Sequence, residues 1–144
     1  MLSDKACLKA FGQPATDRAN AFMVLWVVPA DCWHPRLPKR IYCHKLMVQP
    51  LSKAFKALIK TGRINELKSW DGCYCVRPQR GSSVHISLHS WGLAIDVNAA
   101  WNPRGHKGVL TPEFVKCWTD SGFDWGGDFT TTIDPMHFQL KAIM

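Results

Sequence analysis

The chain has 144 residues, a formal net charge of +7 and a pI near 9.3, and 47% of it is hydrophobic, with seven Trp and seven Phe. That apolar content excludes general disorder and suits one core, so residues 1–144 are expected to form a single domain. The charge favours an anionic partner, but Lys and Arg are scattered from Lys5 to Lys141 with no nucleic-acid motif, so nucleic acid is not the expected partner.

Taken in chain order, Met1 to Arg18 is mixed and polar, with Asp4, Lys5, Lys9, Asp17 and Arg18 breaking any apolar run. No export signal is visible there, so the protein is expected to be made in a cytoplasm without a signal peptide. Ala21 to Ala30 is apolar but too short to span a bilayer and is interrupted by Pro29; it reads as a buried strand or helix of the core. Arg40 to Met47 reads as a strand. Pro50 to Thr61 places Leu51, Phe55, Leu58 and Ile59 at helical spacing and Lys53, Lys56 and Lys60 on other faces, which predicts an amphipathic helix ending at Gly62.

Cys73 to Val76 looks strand-like and leads into Arg77-Pro78. Cys73 and Cys75 fall at alternate positions, where small thiols pack well. None of the six cysteines has the paired Cys-x-x-Cys spacing of a strong metal site, and reduced, structural thiols are expected. Gly92 to Asn98 alternates Leu93, Ile95 and Val97 with Ala94, Asp96 and Asn98, and Met136 to Leu140 alternates in the same way. Both segments read as strands. Residues 98 to 110, rich in Asn, Gly and Pro, read as a surface loop over or beside the strands. Thr111-Pro112-Glu113 gives an N-cap, a first-turn Pro and a first-turn carboxylate for a helix that Gly122 should close. No repeat or low-complexity segment occurs. The pattern predicts an α+β fold, a small antiparallel sheet flanked by helices.

The two alternating strands carry the chemistry. If their aliphatic faces share one core, Asp96 and His137 stand on a common surface, and a loop ending in Gly92 can turn His89 toward them. Catalytic zinc usually takes three N/O protein ligands and keeps a position for water. His89, Asp96 and His137 are the candidate ligands, and Asp134, three residues before His137, is the candidate base for that water. The alternative is that Asp96 is a solvated strand residue and the histidines are incidental. His34, His44, His85 and His106 have no partner pattern and are left outside the site, and Trp91, Trp101 and Trp125 read as packing residues.

Ser87-x-His89-x-x-Gly92-x-Ala94-x-Asp96, followed by Asp134-x-Met136-His137-Phe138, resembles the signature of the zinc peptidase family of D-Ala-D-Ala carboxypeptidases and L-alanyl-D-glutamate endopeptidases, which includes many bacteriophage endolysins. The resemblance runs from Tyr74 to Leu140 and takes in Arg77, the Trp-Gly-Leu-Ala-Ile-Asp-Val-Asn run and Gly122 to Gly127. It implies a hedgehog/D-Ala-D-Ala peptidase-like fold, a zinc cofactor and the peptidoglycan stem peptide as substrate. By the same resemblance, Arg77 is a second stabiliser of the oxyanion, and Ser87 either binds substrate or caps the loop before His89. An Asp at the base position resembles the phage endopeptidase branch. The implied activity is hydrolysis of the L-alanyl-D-glutamate bond during bacteriolysis, by a monomer without a membrane span whose charge draws it to an anionic envelope. A phage lysin of this kind needs a separate membrane lesion to reach the wall. A D-Ala-D-Ala carboxypeptidase, or a non-catalytic wall-binding domain on the same fold, are the alternatives.

Overall fold

The computed structural model describes residues 1–143. The alternating segments form β4 (Ala94–Val97) and β6 (His137–Leu140), the two central strands of a four-stranded antiparallel sheet. Their register pairs Ala94 with Gln139, Ile95 with Phe138 and Asp96 with His137. The side-chain period of two therefore sends Ile95 and Phe138 to one face and Asp96 and His137 to the other. β3 (Trp70–Gly72) flanks β4 and β5 (Phe123–Trp125) flanks β6.

Two helices cover the apolar face. α3 (Val48–Thr61) contributes Leu51, Phe55 and Leu58, and α4 (Pro112–Thr119) contributes Phe114 and Trp118, all fully buried. Trp118 stacks on Phe138 at 5.2 Å between ring centroids and meets Phe55 edge-on at 6.1 Å. Such pairs contribute about 0.5–1.5 kcal/mol each beyond area burial, so the aromatics fix how the helices seat on the sheet.

The helix signals hold except at Gly122. Gly62, with φ of +76°, closes α3, and the Thr111 hydroxyl accepts from the Phe114 N–H with Pro112 in the first turn of α4. α4 ends at Thr119, before Gly122: the Ser121 hydroxyl turns back to the Cys117 carbonyl, and Gly122 instead bends the chain into β5.

Ahead of these elements, α1 (Asp4–Phe11) and α2 (Asp17–Asn20) lead into β1 (Met23–Val27), which pairs with β2 (Arg40–His44) in a separate two-stranded sheet. The Ala21–Ala30 stretch is thus a strand, but not a buried one: Leu25 and Val27 are 59% and 63% exposed, because only one face of this ribbon has a neighbour. The Arg40–Met47 segment stays extended only to His44, whose Nδ1 accepts from the Leu46 N–H and starts a 3₁₀ turn at Lys45–Met47.

Cys73–Val76 is not a strand. The register slips between Trp70 and Gly72, β3 stops at Gly72, and the following backbone bonds to the 3₁₀ turn Leu88–Trp91, with Cys75 N–H donating to the His89 carbonyl at 3.0 Å. Cys73 is consequently buried while Cys75 is exposed, so the packing role expected of both belongs to Cys73 alone. Cys7, Cys32, Cys43 and Cys117 are also buried, and burial pushes the Cys7 and Cys43 thiols up to about 12. Among the described residues, no helix is long and apolar enough to cross a membrane.

Candidate active site

His89 sits on the Leu88–Trp91 turn. The Ser87 hydroxyl accepts from the His89 N–H at 3.3 Å, and Gly92, with φ of +66°, closes the turn. A Cβ on Gly92 would come 2.7 Å from the His44 backbone nitrogen, so both the conformation and the space require glycine. The His89 ring donates from Nδ1 to the Cys73 carbonyl at 2.7 Å, since a carbonyl can only accept. Its Nε2 lone pair is thereby turned toward Asp96.

His137 is oriented from the opposite ring nitrogen. Gln139 donates its amide to the Leu2 carbonyl, at 3.4 Å, so its Oε1 faces His137 Nε2 at 2.9 Å and accepts from it. Nδ1 is then the free nitrogen. Partners of this kind, which fix tautomer and ring direction, are what metal-binding histidines usually have.

The three groups converge. His89 Nε2 lies 3.2 Å from Asp96 Oδ2, His137 Nδ1 lies 3.3 Å from Asp96 Oδ1, and the ligand atoms all fall within 4.8 Å of one another. His89 Nε2 and Asp96 Oδ1 are nevertheless buried without a well-formed hydrogen bond. Leaving a buried polar atom unsatisfied costs about 1–3 kcal/mol, and a cation accepting those lone pairs removes the cost. Two imidazole nitrogens and one carboxylate oxygen, one ligand atom from each residue, are the N/O donors that a catalytic zinc takes. The donor set fits a zinc ion, with His89 and His137 both nearly inaccessible at 3% and 7% exposure.

Burial alone would push the Asp96 carboxyl up, but the close approach of the His137 and His89 rings outweighs it and holds the carboxyl far below its usual range. Burial likewise disfavours charge on His137, but the adjacent Asp96 carboxylate raises its pKa.

Asp134 lies in the turn before β6. Its N–H donates to the Gly126 carbonyl at 2.8 Å and its carbonyl accepts from the His137 N–H at 3.0 Å. Gly126 has no room for a Cβ, which would run into the Asp134 carbonyl. The Asp134 carboxyl is raised, first by burial and also by the charge of Asp96, against the opposing pull of His137, Arg80 and Arg104. A carboxylate pushed toward neutrality is suited to proton transfer.

Asp134 and His137 line a cleft of about 220 Å³ together with Ser87, Leu88, Gln139, Phe129, Thr130 to Thr132, the arginines Arg77, Arg80 and Arg104, and Met1 and Leu2. His89 and Asp96 are not among its lining residues. Arg77 is half-buried, with its N–H on the Ser90 hydroxyl at 3.0 Å and its guanidinium on the Pro78 carbonyl at 3.2 Å. Ser87 is buried, caps the turn and also faces the cleft. His89, Asp96 and His137 thus form one group, and Arg77, Ser87 and Asp134 line a cleft that shares His137 with it.

Gln139, Arg80 and Arg104 were missed. Gln139 had a signal, its place two residues after His137 on the same strand face; the two arginines lie in loops, where no periodicity marks them. Trp91 is buried and Trp125 donates to the Pro135 carbonyl at 2.8 Å, both as packing residues, but Trp101 is 44% exposed, with Lys68 over its ring. His85 contacts Asp4, and neither it nor His34, His44 or His106 joins the group.

Residues 80–140 match the D-alanyl-D-alanine carboxypeptidase family. The matched segment contains His89, Asp96, Asp134 and His137, while Arg77 precedes it. This is a zinc peptidase family, and the match supports a peptidoglycan-acting zinc peptidase in general. Compared with curated proteins and with solved structures, the chain finds no significant match in either.

Proposed function

We propose that the protein is a phage-type endolysin, a single zinc peptidase domain acting as a monomer, that hydrolyses the L-alanyl-D-glutamate bond of the peptidoglycan stem peptide. The observation that carries the reading is the convergence of His89, Asp96 and His137 beside a cleft in which Asp134 has a buried carboxylate oxygen without a partner. A non-catalytic binding domain has no need of that carboxylate. His89, Asp96 and His137 would hold a zinc ion, which when bound would supply a Lewis acid for the attacking water and the scissile carbonyl. Asp134 takes the proton of that water and delivers it to the leaving amine. Arg77 offsets the charge that develops on the carbonyl oxygen, and Ser87, besides capping its turn, is a hydrogen-bonding wall for the peptide. The net charge of +7 favours the approach to a polyanionic envelope.

The endopeptidase assignment within the family rests on the Asp at position 134, and the description of the matched family favours a second reading, a D-Ala-D-Ala carboxypeptidase. Mass spectrometry of fragments released from purified peptidoglycan separates them. The proposal predicts stem peptides with a new N-terminal glutamate; release of free D-alanine alone would establish the carboxypeptidase instead.

A further inference from the structure

The cleft wall holds three arginines, Arg77, Arg80 and Arg104, against one carboxylate, Asp134. Among the described residues none of the three is in an ion pair. Arg77 is committed to the Pro78 carbonyl, but Arg80 and Arg104 belong to two loops that are tied together at this point: Arg104 Nη2 donates to the Arg80 carbonyl at 3.1 Å. A Cβ on Gly81 would come within 3.6 Å of the same guanidinium.

The loop that carries Arg104 is anchored on both sides of it. Fully buried Asn102 donates to the Asn98 carbonyl and accepts from the Val109 N–H, and Gly105 N–H donates to the Ile133 carbonyl at 2.7 Å, next to Asp134. The backbone of Arg104 is therefore fixed on the Asp134 side of the cleft, whose wall Arg80 and Arg104 share with Asp134.

Arg80, whose side chain makes no hydrogen bond among the described residues, and Arg104, whose guanidinium keeps donors beyond the one on the Arg80 carbonyl, line the same cleft as the group that protonates the leaving amine, and together they form a receptor for an anion attached close to that amine. In an alanyl–glutamate bond whose glutamate continues through its γ-carboxyl, the α-carboxylate stays free. It is borne by the same carbon as the leaving nitrogen. We propose that Arg80 and Arg104 bind this α-carboxylate, so that the enzyme distinguishes the acidic stem peptide from its α-amidated form. The inference rests on the endopeptidase reading above. Guanidinium and carboxylate pair through two parallel hydrogen bonds, which a carboxamide with its N–H donors cannot accept in full.

The test uses the zinc-loaded full chain and two synthetic peptides, L-alanyl-γ-D-glutamyl-lysine and the same peptide with the glutamate α-carboxylate converted to an amide. The expected kcat/KM is higher for the acid by about 10–100-fold, the usual worth of hydrogen bonds to a charged group. Arg80→Gln and Arg104→Gln should bring the acid-to-amide ratio toward one, mainly by raising KM for the acid, with zinc content retained. Arg77→Gln should slow both peptides and preserve the ratio. Because Arg104 also bridges the loops, Arg80→Gln is the cleaner variant: its side chain makes no hydrogen bond among the described residues. Equal cleavage of the two peptides by the unmodified protein, or an unchanged ratio in Arg80→Gln, overturns the clamp and leaves the endopeptidase standing. Cleavage of neither peptide overturns both.

Discussion

Asp134 is held through its backbone alone, by Gly126 and by His137, while its carboxylate projects into the cleft with a buried oxygen that bonds to nothing. Replacing that carboxylate by an amide removes no structural hydrogen bond. Asp134→Asn is therefore predicted to keep the melting temperature and the zinc and to lose roughly 10²–10⁴-fold in turnover, the usual worth of a positioned base. His137→Ala should lose the zinc as well, because two remaining ligands hold it poorly. Metal analysis, thermal melting and turnover on the two variants check the contrast, and a zinc-loaded Asp134→Asn enzyme with near-normal turnover would remove Asp134 from the mechanism. At this scale the sequence was legible where chemistry coincided with a period. Asp96 and His137 could be placed on one face by alternation, and His89 by the glycine that ends its turn. Arg80 and Arg104 could not, because loops that meet only in the folded chain leave no spacing to read.

The elements depend on close approaches between segments distant in sequence. Gly92 sits in the left-handed region with its α-carbon against the His44 backbone, and it closes the turn that presents His89. Gly92→Ala is predicted to cost about 1–2 kcal/mol for the conformation alone and more for the contact, lowering the melting temperature and weakening zinc binding together. His44 itself is buried against Phe11 and Phe22, and burial, with a smaller effect of Lys45, lowers its pKa from 6.5 to about 4. With the folded value depressed, the unfolded chain binds the extra proton first. This part of the stability is full above about pH 6.5 and is lost as the pH falls toward about 4. His44→Asn, which can keep an acceptor for the Leu46 N–H, should flatten that acid limb in melting experiments; an unchanged pH profile would show that His44 does not contribute. Elements with their own caps, α3 and α4, were readable to within a few residues. The Cys73–Val76 segment was not: its residues suit a strand, but the slip at Gly72 hands its backbone to the His89 turn, a tertiary choice that local propensity does not encode. Burial of the Ala21–Ala30 strand was likewise overestimated, since hydrophobicity does not say how many faces a ribbon will have covered.

Across the molecule, one sheet face is given to the aromatic core under α3 and α4 and the other to the His89, Asp96 and His137 group. The four-stranded sheet and the segment of residues 80–140 that matches the peptidase family coincide largely, whereas the N-terminal third, without a motif, supplies the β1–β2 ribbon and the Met1–Leu2 edge of the cleft. That edge was invisible in the sequence for the same reason as the arginines: it is made by chain segments meeting, not by a pattern within one. Dependence of wall hydrolysis on a zinc ion at this face is read by measuring lysis of purified peptidoglycan alongside the zinc content of one preparation, before chelation, after chelation and after zinc is returned. The predicted result is one zinc per chain, activity abolished with the metal removed and recovered with it restored. A metal-free preparation that lyses the wall at the full rate would show that the protein is not a zinc peptidase.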